Sequence, residues 1–188
     1  DILSSETQYN LLEDLSCKDI DNSMLSQELS SLGEKIDYQE KNGSTNKEEL
    51  SNLKRYYSLL EIKDYLLMQK VTERCGKKSV FVLYFYTNQE NCSECVKQGY
   101  VLTALHEKYP TLRVYSFDYS LDLSAVSTLK SIYKIDDKKL PAMIINKQVL
   151  TGFKSVEDIE KEFPELEKLL PDPKVNDTDT KDIDKAQD

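Results

Sequence analysis

Two cysteines separated by two residues, standing where a strand gives way to a helix, leave a chain few roles. This chain has them at Cys92-Ser93-Glu94-Cys95. The preceding run, Ser79-Val80-Phe81-Val82-Leu83-Tyr84-Phe85-Tyr86, is rich in β-branched and aromatic residues, as a buried strand is. A polar loop containing Asn88, Glu90 and Asn91 follows. From Cys92 to Lys108 the apolar period is helical, with Val96, Tyr100, Leu102, Ala104 and Leu105 as expected packing residues. Sulfurs within one helical turn are close enough to bridge. At a helix N-terminus, the dipole and free N–H groups stabilise the first thiolate. Such a thiolate can attack a disulfide, and the second cysteine then resolves the mixed disulfide. Zinc knuckles share this spacing. Here a second pair at zinc-ribbon spacing is absent, and the strand-to-helix setting favours redox chemistry.

Composition narrows the remaining classes. The 188 residues hold 34 Asp and Glu against 25 Lys and Arg, a net charge of −9. An acidic surface without a basic cluster repels phosphate backbones, so no nucleic-acid partner is expected. The single histidine, His106, cannot supply a multi-His zinc site, and lying late in the helix it reads as a surface residue. No metal and no organic cofactor are expected. The longest apolar run, Val80 to Tyr86, is far short of the roughly 20 residues that span a bilayer. The chain begins at Asp1 without Met, so the expectation is a removed N-terminal signal or membrane anchor, the one route to a membrane.

Residues 1–76 read as a helical hairpin. Leu25, Leu29, Leu32 and Ile36 form one helical stripe, and Lys41-Asn42-Gly43-Ser44-Thr45 breaks it with turn chemistry. Thr45 with Glu48 reads as a capping box opening a second helix. Its stripe is Leu50, Leu53, Tyr57, Leu60, Leu67 and Val71, with Asp64 as one interruption, over about thirty residues or 45 Å. The hairpin is read either as a solvated appendage or as an arm that docks a partner. Antiparallel folding brings Cys17 and Cys75 to the same end. A Cys17–Cys75 disulfide would stabilise by roughly 4 kcal/mol in the chain-entropy model and would place the protein in an oxidising compartment. Two unpaired thiols are the alternative.

From 77 to 170 the pattern is mixed. After the first strand and helix come a strand at Leu112–Phe117 and a helix at Leu123–Tyr133. Leu140-Pro141 precedes a strand at Ala142–Ile145, the turn Asn146-Lys147, and a strand at Gln148–Thr151. Gly152 ends that strand, and Ser155 with Asp158 caps a last helix through Phe163, where Pro164 ends or kinks it. The order is β-α-β-α-β-β-α. Residues 171–188, Asp-rich and without aromatics, read as a disordered acidic tail. Its Asn176-Asp177-Thr178 sequon reads as a chance match.

Over roughly Ser79 to Phe163 the chain resembles the thioredoxin superfamily. The resemblance rests on the strand, on CSEC opening a helix, and on Leu140-Pro141 before a hairpin ending at Gly152. It implies an α/β thioredoxin-like fold, a central mixed sheet flanked by helices, following the helical hairpin. It implies that Cys92 is the nucleophile, Cys95 the resolving thiol and Pro141 a cis-proline opposite the sulfurs. The backbone of Leu140 would then pair with a bound peptide. The sequence departs from the family pattern in several places. Asn91 stands where Trp is familiar, and Ser93-Glu94 where Gly-Pro is. Tyr84 occupies the place of the buried Asp on the central strand. Glu90 and Glu94 put negative charge beside Cys92, which opposes thiolate formation and partly cancels the helix dipole.

The resulting expectation is a thiol–disulfide oxidoreductase, an enzyme acting on protein thiols and disulfides through Cys92 and Cys95. It is expected to be extracytoplasmic, secreted or anchored facing outward. Two alternatives stand beside it: a redox-inert thioredoxin-like interaction module with structural disulfides, and a cytoplasmic electron carrier.

Overall fold

The computed structural model describes residues 24–42, 46–76, 78–87 and 92–170. Two helices open it, α1 (Met24–Lys41) and α2 (Lys47–Cys75). Then come β1 (Val80–Tyr86), α3 (Ser93–Lys108), β2 (Leu112–Asp118), α4 (Ser124–Tyr133), β3 (Ala142–Ile145), β4 (Gln148–Thr151) and α5 (Val156–Glu162). Short 3₁₀ turns at Asp137–Lys139 and Pro164–Leu169 complete it. The β-α-β-α-β-β-α order is thus as the sequence predicts. The predicted tail and its sequon lie outside the described residues.

The sheet runs β2-β1-β3-β4. β1 and β2 are parallel, with Tyr84 beside Ser116 and Tyr86 beside Asp118. β3 is antiparallel to β1, and β4 to β3. The β3–β4 turn places Asn146 and Lys147 at φ 49° and 68°, the positive pair that a two-residue hairpin needs to match strand twist. β1 is central and has both faces covered. Val82 and Tyr84 point into a core closed by Leu102 and Leu105 of α3 and Ile159 of α5. Leu83 and Phe85 point into one closed by Val126 of α4, with Ile62 and Tyr65 of α2 packed against it. These are the layers of a thioredoxin-like α/β fold: a mixed four-stranded sheet between helices.

The hairpin differs from its solvated reading. The apolar stripe of α2, with Leu60, Leu67, Met68 and Val71 all at most 4% exposed, packs against Leu29 and Leu32 of α1 and Phe81 of β1. Burying each such side chain contributes about 1.5–3 kcal/mol. Asp64 does not interrupt the face, because it is buried and paired. Tyr115 donates its hydroxyl to Asp64 Oδ2 at 2.7 Å, and Arg113 approaches the same oxygen at 3.3 Å. One turn earlier, buried Glu61 accepts the backbone N–H of Ser116 at 2.7 Å. β2 is an edge strand, and an edge N–H left open invites pairing with another chain. The hairpin helix therefore satisfies an edge donor of the sheet as well as covering one face. It is the outer layer of the fold, not an appendage.

The cap of α2 also differs from the expected Thr45. Asn46 is the N-cap, its side chain accepting from Glu49 N at 3.1 Å, while Thr45 lies outside the described residues. At the other end Gly76 takes the left-handed conformation, φ 61°, that closes a helix most readily with glycine. Lys54 bonds Asp118 at the C-terminal end of β2 at 3.0 Å. The start of α2 therefore lies at that end of the sheet, and Cys75 lies at the opposite one.

Burial pushes the Glu61 carboxyl well above the usual carboxylate range, and the nearby Asp64 adds to the rise, against hydrogen bonds from Ser116 and Tyr57. Burial also raises Asp64, against Tyr115 and Arg113. A raised folded pKa means that the native state holds more protons than the unfolded chain. The stability this contributes is complete below the unfolded value of about 4 and is lost as pH rises through the folded pKa. Glu61→Gln should therefore flatten the fall in urea-unfolding free energy above about pH 4, by up to one proton's slope of ~1.4 kcal/mol per pH unit. An unchanged slope would contradict the assignment.

Candidate active site

The site grows from the C-terminal end of β1. Cys92 is the N-cap of α3, and its Sγ accepts the Cys95 N–H at 3.1 Å. The two sulfurs are bonded, with Cα atoms 5.3 Å apart. Their environments differ in the way a reactive and a protected sulfur would. Cys92 is partly exposed, whereas Cys95 is only 3% exposed against the core. The free N–H groups and dipole of a helix start act on the sulfur at the cap. Exposed Glu94, in the first turn of the same helix, acts against them. Glu90 and Asn91 lie outside the described residues.

β1 brings a second element to this end of the sheet. Because β3 runs antiparallel with Phe85 beside Ala142, Pro141 lies next to the end of β1, where the loop to Cys92 departs. The Leu140–Pro141 peptide bond is cis. Pro141 is buried and Leu140 half-buried. The Leu140 N–H is engaged at 3.4 Å with Asp137 O. Gly152, at φ 71° where a side chain would be strained, donates its N–H to Pro141 O at 2.8 Å and ties the segment to the end of β4.

Beneath α3, Tyr84 is buried and donates its hydroxyl to Cys95 O at 2.6 Å. Burial raises its phenol pKa, so the group stays a donor. Its ring stacks on that of Tyr86, centroids 5.6 Å apart and 25° between planes.

Gln98 is the polar residue that apolar periodicity passes over. It is fully buried, and its Oε1 accepts the Lys154 N–H at 2.8 Å, joining α3 to the segment before α5. Its signal lay in the stripe Cys95, Gln98, Leu102, Leu105, spaced three, four and three, which is the buried face of α3. Of the expected packing residues, Leu102 and Leu105 are buried. Tyr100 is 73% exposed and Ala104 is exposed, because both lie on the opposite side of the helix. His106 is exposed near the helix end, with Nδ1 2.8 Å from Leu112 O, in keeping with a surface residue.

Cys75 closes α2 at the far end of the sheet from Cys92. Its expected partner Cys17 lies outside the described residues, so the Cys17–Cys75 pairing stays an expectation. Among the described residues no group of three or more His, Cys, Asp or Glu side chains is arranged to hold a metal ion.

A thioredoxin-like fold with a cysteine pair capping the helix after its central strand fits, at the coarse level, a thiol–disulfide oxidoreductase. No protein-family model matches the chain, and no curated protein matches it. Among solved structures it is similar to chloroplastic thioredoxin z, at 17% identity and a TM-score of 0.38. The similarity covers 54% of this chain and 89% of that one. A likeness at that distance assigns no residue a role.

Gln98→Ala should remove the acceptor of a partly buried N–H and cost about 1–3 kcal/mol in chemical denaturation. A cost within a few tenths of a kcal/mol would mean that Lys154 finds water instead.

Proposed function

We propose that the protein exchanges disulfides with protein substrates through Cys92 and Cys95. The observation that carries this reading is the asymmetry of the pair. Cys92 caps the helix, is partly exposed and accepts an amide N–H, while Cys95 is buried one turn along. In the reduced protein the Cys92 thiolate attacks a substrate disulfide, forming a Cys92–substrate bond and expelling one substrate thiolate. Cys95, having lost its proton, then attacks Cys92 Sγ. The Cys92–Cys95 bond forms again, and the substrate leaves as a dithiol carrying two electrons. The reverse sequence oxidises a substrate dithiol. Leu140 and Pro141 would form the opposite wall, where the Leu140 backbone could pair with an extended peptide. The outward face of α1, with Tyr38 68% exposed, is the surface a docking partner of the hairpin would use.

An extracytoplasmic site of action is part of the same proposal. Its support is the expected Cys17–Cys75 bridge, since such bridges persist where the surroundings are oxidising. Mass spectrometry of native protein alkylated without reduction should find no free thiol at Cys17 or Cys75. Free thiols at both would remove that support.

Reduction of insulin by the protein in the presence of dithiothreitol, together with trapping by Cys95→Ser, tests the exchange. Cys95→Ser should accumulate mixed disulfides through Cys92, and Cys92→Ser should form none and lose reductase activity by at least a hundredfold. No insulin reduction and no trapped partner would favour the alternative of a redox-inert interaction module.

A further inference from the structure

The backbone of Cys95 reaches both Cys92 and the central strand. Its N–H is shared between Cys92 Sγ at 3.1 Å and Cys92 O at 3.2 Å, and its carbonyl accepts the Tyr84 hydroxyl at 2.6 Å. The contact to Sγ points at the sulfur that the proposed exchange would use. The carbonyl contact ties the same residue to the central strand.

Tyr84 has little freedom to let go. It is 5% exposed, lies in one core with Leu102, Leu105 and Met143, and stacks on Tyr86. Tyr86 is itself held at the end of β1, where the Tyr119 N–H donates to its carbonyl at 2.7 Å. The first turn of a helix is otherwise its loosest part, because its N–H groups lack partners inside the helix. A tether from the sheet to the carbonyl of Cys95 restrains that turn, and with it the direction of the Cys95 amide.

We propose that Tyr84 is a positioning residue of the cysteine pair. By holding the Cys95 carbonyl it keeps the Cys95 N–H on Cys92 Sγ, where that N–H stabilises the thiolate once the disulfide is reduced. Tyr84 does not touch a substrate and transfers no proton in this role. The inference deepens the proposed function and rests on Cys92 being the attacking thiol. Glu94, the acidic residue of the same turn, opposes the thiolate, so a fixed amide donor counts for more here than beside a neutral turn.

The test uses the reduced full chain with Tyr84→Phe, which removes one hydroxyl and keeps the ring and its stack. The readouts are the Cys92 thiolate absorbance against pH and the rate of alkylation by iodoacetamide at pH 7, with the modified cysteine mapped by mass spectrometry. Tyr84→Phe should slow Cys92 alkylation about threefold and move its titration upward. Tyr86→Phe, which takes a hydroxyl from the stacked neighbour and leaves the Cys95 tether in place, should leave both readouts unchanged. No effect of Tyr84→Phe, or equal effects of the two variants, would overturn the proposal. If Tyr84→Phe fails to fold, 3-fluorotyrosine at position 84 supplies a nearly isosteric, stronger donor. It should speed Cys92 alkylation, and no change or a slower rate would overturn the proposal. These readouts require no substrate protein. A normal tether with no disulfide exchange would therefore count against the function alone, and normal exchange with an unmoved Cys92 against the tether alone.

Discussion

A central strand that is apolar on both faces must be covered on both sides, and the architecture follows from that demand. Val82 and Leu83 are each 1% exposed and Phe85 fully buried, so β1 cannot lie at the surface of any sheet. The helices α3 and α5 cover one face, while α4 and α2 cover the other. The cysteine pair depends on the same demand. The chain leaves the end of β1 and must return over its face as a helix, and the cap of that helix is Cys92. The antiparallel partner β3 enters beside the same end, which brings Pro141 there.

The hairpin is where local pattern and tertiary structure part. Strand β1, the Asn146-Lys147 turn and the Ser155–Asp158 capping box were legible because each is fixed by neighbours in sequence, through alternation, turn conformation or reciprocal capping. Asp64 looked like a break in an apolar stripe because its partners, Arg113 and Tyr115, lie about fifty residues away. Glu61 is likewise set by a distant partner, since the N–H it accepts is 55 residues away in sequence. A helical period cannot say that a carboxylate on one face will meet an edge strand. Once both carboxylates are placed, α2 becomes a structural layer, and the question of a docking partner moves to the outer helix α1.

The site shows the same division. The spacing of Cys92 and Cys95, and of both from Pro141, was readable from residue types alone. The contacts that shape the site were not. Gln98 is set by Lys154, 56 residues on, and the Tyr84 hydroxyl by the carbonyl of Cys95 on the next helix, contacts that no local period shows. The chemistry is balanced between opposing effects. The helix start and the Cys95 N–H favour a Cys92 thiolate, and Glu94 opposes it. These contributions are of similar size, a few tenths to about 1 kcal/mol each for exposed charges near a helix terminus. The pair should therefore be exchangeable without being strongly oxidising.

Equilibration of the full chain with glutathione buffers of graded potential, followed by quantification of the Cys92–Cys95 disulfide by alkylation and mass spectrometry, tests that claim most directly. A two-electron transition is expected between about −270 and −180 mV, the interval of disulfide-exchanging proteins that are not strong oxidants. A pair that stays oxidised to below about −300 mV would be a structural staple and would contradict it.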